Sequence, residues 1–189
     1  MVRLTSITTK GGDGGQTSLA DGTRVAKFDP RIVAQGSVDE LNASVGVALL
    51  HLAGEEKNVL TRIQNDLFDL GADITIPETA KADTSLRVTQ KMIDLLEADI
   101  EQVNQTLEPL SSFVLPGGTP SSAHLHVART IARRAERDVW ALADATAINA
   151  LIGTYLNRLS DLLFVMGRAA NDGGKADVLW VPGGSRQAG

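Results

Sequence analysis

Apolar residues at positions 60, 63, 67, 70 and 74 recur at three- and four-residue steps. That is the period of a helix burying one stripe. The same rhythm returns in Met92, Leu96, Ile100, Val103 and Leu107, a helix that Pro109 is expected to stop. It returns again in Leu125, Ala128, Ala132, Ala135, Val139 and Leu142. Thr119-Pro120 opens that helix with a capping hydroxyl and a proline at the first helical position, and it is expected to run to about Asp144. A further greasy helix is predicted from about Asn149 to Asn171, ahead of Gly173-Gly174. The first helix is predicted from Ser37 to about Leu52, because Ser37-Val38-Asp39-Glu40 reads as a capping box.

The first 36 residues are rich in Gly and Thr and lack the helical period, which predicts loop with one or two short strands. A polar loop is expected from Pro77 to about Val88, and a short strand over Val178 to Val181. Residues 111–118 read as a connection, yet Phe113, Val114 and Leu115 stand together in it. Five amphipathic helices with short links predict an all-α bundle in one domain spanning 1–189. Within it, 1–36 form an N-terminal segment, 37–172 the bundle and 182–189 an expected disordered tail.

Composition narrows the chemistry. The 189 residues include no cysteine, which removes disulfides, thiolate zinc sites, iron–sulfur clusters and cysteine nucleophiles together. A net charge of −5 without a basic stripe argues against nucleic-acid binding. The longest apolar runs, Val45 to Leu50 and Leu162 to Met166, fall far short of a bilayer span. The N-terminus lacks a signal peptide's apolar core, so a soluble cytoplasmic protein is expected.

Three places could carry chemistry. Thr8 to Ser18 is glycine-rich, so successive backbone amides can turn inward around an anion beside the Lys10 charge. It lacks the Gly-Lys-Ser/Thr of a Walker loop, and a merely flexible loop is the bland alternative. On the fourth helix Arg129, Arg133 and Glu136 stand at i, i+4 and i+7, with His126 close to the same stripe and Arg134 and Arg137 further out. Such guanidinium groups suit a polyphosphate; an intrahelical ion pair of Arg133 with Glu136 is the competing account. On the fifth helix Asn157, Asp161 and Arg168 share a face with Phe164, satisfied by a ligand, by an Arg158–Asp161 pair or by a bridge to the fourth helix. Asp39 falls in the expected first turn of the first helix, where it suits the dipole. Asn42 lies on that helix face with Val38 and Val45 and has no evident role. The histidines at 51, 124 and 126 lack metal-site spacing, and no Ser-His-Asp, zinc-protease, calcium-loop or paired-carboxylate pattern occurs.

Taken in order, the blocks are specific. They are Thr9 to Thr17, Asp29-Pro30-Arg31, Gly36 to Asn42, Phe113 to Gly118, His126 to Arg137 and Leu156 to Asp161. Together they resemble the PduO-type ATP:cob(I)alamin adenosyltransferase family from Thr8 to about Arg168. The resemblance implies a homotrimer with active sites between subunits. The implied reaction moves the 5′-deoxyadenosyl group of ATP to cobalt(I) of a corrinoid such as cobalamin, releasing triphosphate, with Mg²⁺ on the phosphates. Thr8, Thr9, Lys10, Gly11, Gly12, Asp13, Gly15 and Thr17 would hold the phosphates. Gly14 stands where relatives often carry a charge, and Lys27 or Arg24 would supply that contact. Arg133, Glu136 and Asn157 carry over as ATP-site residues, and Asp39 and Arg129 as a salt bridge across the subunit interface. Phe113 carries over as the group against the lower corrin face, and Trp180 is the candidate for a C-terminal aromatic contact. No protein ligand to the metal is implied. A flavin-type reductase and a cobalamin-dependent acceptor enzyme are implied as partners. The missing general base fits, since cobalt(I) is itself the nucleophile and the protein need only aim C5′ and neutralise the leaving triphosphate. Two rival readings are a catalytically idle bundle, serving as nucleotide sensor or cofactor chaperone, and an ordinary phosphotransferase.

Overall fold

The computed structural model describes residues 8–78 and 86–184. The tail expected to be disordered lies, from 185 onward, outside the described residues; 182–184 form a turn. Five helices dominate: α1 (Pro30–Leu49), α2 (Gly54–Thr75), α3 (Gln90–Asn104), α4 (Pro120–Ala145) and α5 (Leu151–Ala169). A two-stranded antiparallel hairpin precedes them, β1 (Gln16–Ser18) and β2 (Arg24–Ala26), in register Gln16 with Ala26. The all-α bundle is as the sequence predicts.

α1 packs against α2 and α4, α4 against α5, and α5 against α3. Every stripe residue of α2 (Leu60, Ile63, Leu67, Leu70, Ile74) is fully buried, as is the alanine-rich seam of α4 (Ala128, Ala132, Ala135). Small residues let helices approach closely. A Cβ on Gly153 of α5 would come within 2.5 Å of the Trp140 ring on α4, so only glycine fits there.

Several boundaries differ from expectation. α1 begins at Pro30, not Ser37, because Asp29 caps it: the carboxylate accepts from the Arg31 amide at 2.9 Å, and Pro30 takes the first helical position. The apparent capping box therefore lies inside the helix. Ser37 Oγ instead donates to Asp138 of α4 at 2.5 Å, and Glu40 pairs with Arg134. Asp39 is accordingly mid-helix rather than in a first turn. α3 ends at Asn104, before Pro109 is reached, with the Thr106 hydroxyl closing on the Val103 carbonyl at 2.7 Å. α5 begins at Leu151, whose amide is taken by Asn149 Oδ1 at 3.1 Å. The expected strand at 178–181 is reduced to a single antiparallel bridge, Val114 with Leu179.

Two buried polar knots fasten the connections. Asp73, near the end of α2, accepts from Arg87, from the Val88 amide at 2.9 Å and from Asn149 Nδ2 at 2.8 Å. Arg168, near the end of α5, donates to Asp177 at 2.8 Å and to the Glu108 carbonyl at 3.0 Å. Asn171 Nδ2 donates to the other oxygen of Asp177 at 3.0 Å.

Candidate active site

The glycine-rich segment forms the base of the hairpin. Lys10 adopts a left-handed backbone, φ 58°, and its carbonyl accepts from the Asp13 amide at 3.2 Å. The Gly15 amide donates to Gly12 at 3.2 Å, and the Gly15 carbonyl accepts from the Lys27 amide at 2.9 Å. Asp172, in the turn after α5, is the other described non-glycine residue with positive φ, at 55°. Thr8, Thr9, Lys10, Gly11, Asp13 and Gly15 are exposed; Gly12 and Thr17 are half-buried. The Lys27 ammonium lies over Gly12, 3.0 Å from where a Cβ would stand. Arg24 is occupied, donating to the Gly11 carbonyl at 2.8 Å and the Ser18 hydroxyl at 3.2 Å. Of the two cations considered for the gap at Gly14, Lys27 is the one left available.

The second group lines the α4–α5 face. Asn157 Nδ2 donates to Glu136 at 3.2 Å, and Asn157 Oδ1 accepts from Arg158 at 2.9 Å. Arg158 continues to Glu97 on α3 at 2.8 Å, so the expected pair with Asp161 is not formed. Nor is an intrahelical pair of Arg133 with Glu136: Arg133 is exposed, and its guanidinium has no acceptor among the described residues. Arg134, further out as expected with its side chain 43% exposed, pairs with Glu40 of α1. Arg129 is half-buried, and its Nε, sealed from solvent, has no partner among the described residues. Burial, then the neighbouring Arg133 charge, pulls the Arg129 pKa below the ordinary guanidinium value. Two adjacent cations without acceptors suit an anion brought from outside.

His126 is buried beside them, edge-on to Phe164 with ring centroids 6.1 Å apart. Burial, and after it the Arg129 charge, holds its pKa below the usual imidazole value, against an opposing pull from Asp177. The unfolded chain therefore takes up the proton first as pH falls. Below about pH 6.5 the unfolded state binds more protons than the native one, so stability falls with falling pH until the depressed native pKa is passed. His126→Gln should flatten that acid limb, measured by urea unfolding at pH 7.5 and 5.5; an unchanged difference between the two pH values would remove His126 from it.

The third element is the 111–118 connection. Phe113 is 77% exposed and tilts against Trp180 with centroids 6.0 Å apart. Residues 178–180 clamp this loop. The Leu115 amide donates to Val178 at 2.8 Å, the Trp180 amide to Phe113 at 2.7 Å, and Ser112 Oγ to the Trp180 carbonyl at 2.7 Å. Trp180 thus joins Phe113 in one aromatic patch. A polar-poor cavity of about 250 Å³ runs from Pro116 and Gly117 of this loop to His126 and Thr130 of α4.

Within one chain the glycine-rich loop is not bonded to the α4–α5 residues. Among the described residues no hydrogen bond, ion pair or ring contact links residues 9–27 to Arg129, Arg133, Glu136 or Asn157, and none joins Asp39 to Arg129. Asp39 lies on the α2 side of α1, whereas Arg129 stands two turns before Glu136, the α4 residue that bonds Asn157 of α5. No group of three or more His, Asp or Glu placed to hold a metal occurs among the described residues. No described helix is long and apolar enough to cross a membrane. The clamp by 178–180 and the Asp73 knot were not legible in the sequence, since both depend on pairing distant loops.

Residues 7–170 match the family model described as cobalamin adenosyltransferase. The corrinoid adenosyltransferase of Mycobacterium tuberculosis is 52% identical, covering 99% of this chain and 98% of its own length. The cobalamin adenosyltransferase of Cupriavidus metallidurans is 45% identical over 94% of this chain and 95% of its own. Among solved structures, a variant PduO-type ATP:corrinoid adenosyltransferase from Lactobacillus reuteri, complexed with cobalamin and ATP, superposes with a TM-score of 0.85 at 37% identity, covering 93% of this chain and 96% of that one. By that match over most of its length and by those identities, this chain belongs to the cobalamin adenosyltransferase family.

Proposed function

We propose that this chain is an ATP:corrinoid adenosyltransferase whose separated site elements are brought together by further copies of itself. Cobalt(I) of the corrinoid attacks C5′ of ATP; the cobalt–carbon bond forms with the cobalt electron pair, the C5′–O bond breaks, and triphosphate leaves. The observation that carries the assignment to residues is the shared exposure of Arg133 and Phe113. One is a cation without an acceptor and the other an aromatic ring 77% in solvent, and the fold of a single chain needs neither.

Each residue then has a task. The Lys10 to Thr17 loop, with Lys27 above Gly12, cradles phosphates through backbone amides and two ammonium charges. Arg133 takes up the charge that grows on the departing oxygen. The Glu136–Asn157 pair fixes two polar groups at the edge of the α4–α5 face, where they orient the nucleoside. Mg²⁺ would come with the nucleotide and offset phosphate charge beside Lys10 and Lys27. Phe113 and Trp180 present an apolar surface suited to a corrin face. With an aromatic ring there instead of a nitrogen base, the lower axial ligand is excluded, which eases reduction of cobalt(II) to cobalt(I). A homotrimer, with Asp39 of one copy facing Arg129 of the next, supplies the missing ion pair. A cytoplasmic setting, a flavin-type reductant for cobalt and a cobalamin-dependent acceptor complete the proposal.

The test is an anaerobic assay with ATP and chemically reduced cob(I)alamin, following adenosylcobalamin and triphosphate together. Equal amounts of both are expected. A nucleoside diphosphate product would mark a kinase, and bound ATP without product would mark an idle bundle. Phe113→Ala should leave ATP affinity unchanged yet slow the reaction begun from cobalt(II) at least about tenfold more than the one begun from cobalt(I). Equal losses in the two assays would remove Phe113 from the lower face.

A further inference from the structure

Arg133, Glu136 and Trp140 stand at i, i+3 and i+7 on α4, so the three share one face. α5 meets the tryptophan with Gly153, one turn before Asn157. The indole lies across that glycine. A Cβ there would stand 2.5 Å from Cζ2, 2.6 Å from Cε2 and 3.0 Å from Nε1. Along the α4–α5 seam the ring is therefore the next rung after the Glu136–Asn157 bond.

The ring does more than close the seam. Gly153 is buried, yet Trp140 is 46% exposed. A leucine over an alanine would fill space between two helices without the backbone entropy that glycine costs a helix. What the glycine permits instead is a broad flat ring, seated on α5 and left nearly half in solvent. The indole N–H donates to no acceptor among the described residues, so no polar bond of the fold accounts for a tryptophan.

The order of groups along α4 follows a nucleoside triphosphate outward from its leaving oxygen. Arg133 is the proposed partner of that oxygen, and Glu136 with Asn157 orients the nucleoside. Trp140 comes about 6 Å further along the axis than Glu136. The part of a nucleoside remote from its triphosphate is the base. A base stacks on an aromatic face whatever its hydrogen-bonding edge, and the double ring of a purine covers more of that face than a pyrimidine does.

We infer that the Trp140 indole is the platform on which the base of the bound nucleoside triphosphate stacks, and that it favours a purine. The inference rests on the proposed nucleotide site and deepens it, by naming the residue that senses the base. Trp140 touches no reacting atom in this account; it sets affinity and base preference.

The test is equilibrium dialysis of ATP and of CTP against the full chain without corrinoid. The two share triphosphate and ribose and differ only in the base. Trp140→Leu, which keeps an apolar side chain on Gly153, should raise the Kd for ATP about tenfold and that for CTP no more than about threefold. Trp140→Phe restores a ring and should recover most of the ATP loss. Circular dichroism checks that each variant is folded. A second measurement leaves Trp140 in place: Trp180→Phe makes it the single tryptophan of the chain, and saturating ATP should quench its fluorescence more than saturating CTP. Arg133→Ala is the control on the site itself and should weaken both nucleotides alike. If it does so while Trp140→Leu leaves ATP affinity unchanged, or weakens ATP and CTP by one factor, the platform is overturned and the proposed site stands. An equal loss accompanied by subunit dissociation in sedimentation would make the ring a contact between copies, which overturns the platform too. If ATP binds and neither variant affects it, platform and proposed site are both overturned.

Discussion

Arg133→Ala is expected to lower kcat/KM for adenosylcobalamin formation by about a hundred- to a thousandfold, roughly 2.7 to 4 kcal/mol of transition-state stabilisation. Its unfolding free energy should stay within about 0.5 kcal/mol of the parent. The two halves of this expectation have the same origin. Arg133 is exposed and donates to no acceptor among the described residues, so the folded chain loses no contact when it goes. On the proposed mechanism, the triphosphate leaving C5′ loses a forked donor. Arg133→Lys should fall between, since it keeps the charge but not the bidentate geometry. Anaerobic initial rates over a range of ATP concentrations, beside a urea titration, decide the matter. Normal kinetics in the alanine variant would take Arg133 out of the site.

Asp73→Ala should do the opposite, lowering stability by about 3 to 5 kcal/mol. Its carboxylate is fully buried and serves three donors from two separate connections: Arg87, the Val88 amide and Asn149. Removing it strands the buried Val88 amide and leaves the partly exposed Arg87 with Glu78 alone. For a chain of this length the loss corresponds to a fall in Tm of about 10 °C. Asp73→Asn keeps the shape and one acceptor and should lose less. Urea unfolding at one fixed protein concentration measures both variants, because dissociation of copies would otherwise shift the midpoint. A loss below about 1 kcal/mol would mean that the knot is dispensable.

The helices were legible because burial leaves a mark at every third or fourth position. The stripe of Leu60, Ile63, Leu67, Leu70 and Ile74 is the clearest case. The start of α1 was misread because two adequate caps compete within eight residues. Asp29-Pro30 wins by fixing the backbone dihedral as well as the hydrogen bond, which frees Ser37 for Asp138. Charges on α4 could be placed on a face but not given partners. Arg134 meets Glu40 and Arg133 meets nothing, a difference set by how α1 crosses α4. Phe113 stood out as an aromatic in a connection, yet its neighbour Trp180 lies 67 residues on, and no local rule joins them.

That last contact fastens the aromatic loop from outside the helices. Phe113 is held by main-chain bonds to residues 178–180 and by the Trp180 ring, a segment that follows α5. The hairpin β1–β2 is closed instead by its own neighbours, Gln16 with Ala26. The two surfaces therefore have separate fastenings: opening 178–180 would release Phe113 while leaving the hairpin register and the buried faces of the helices as they are.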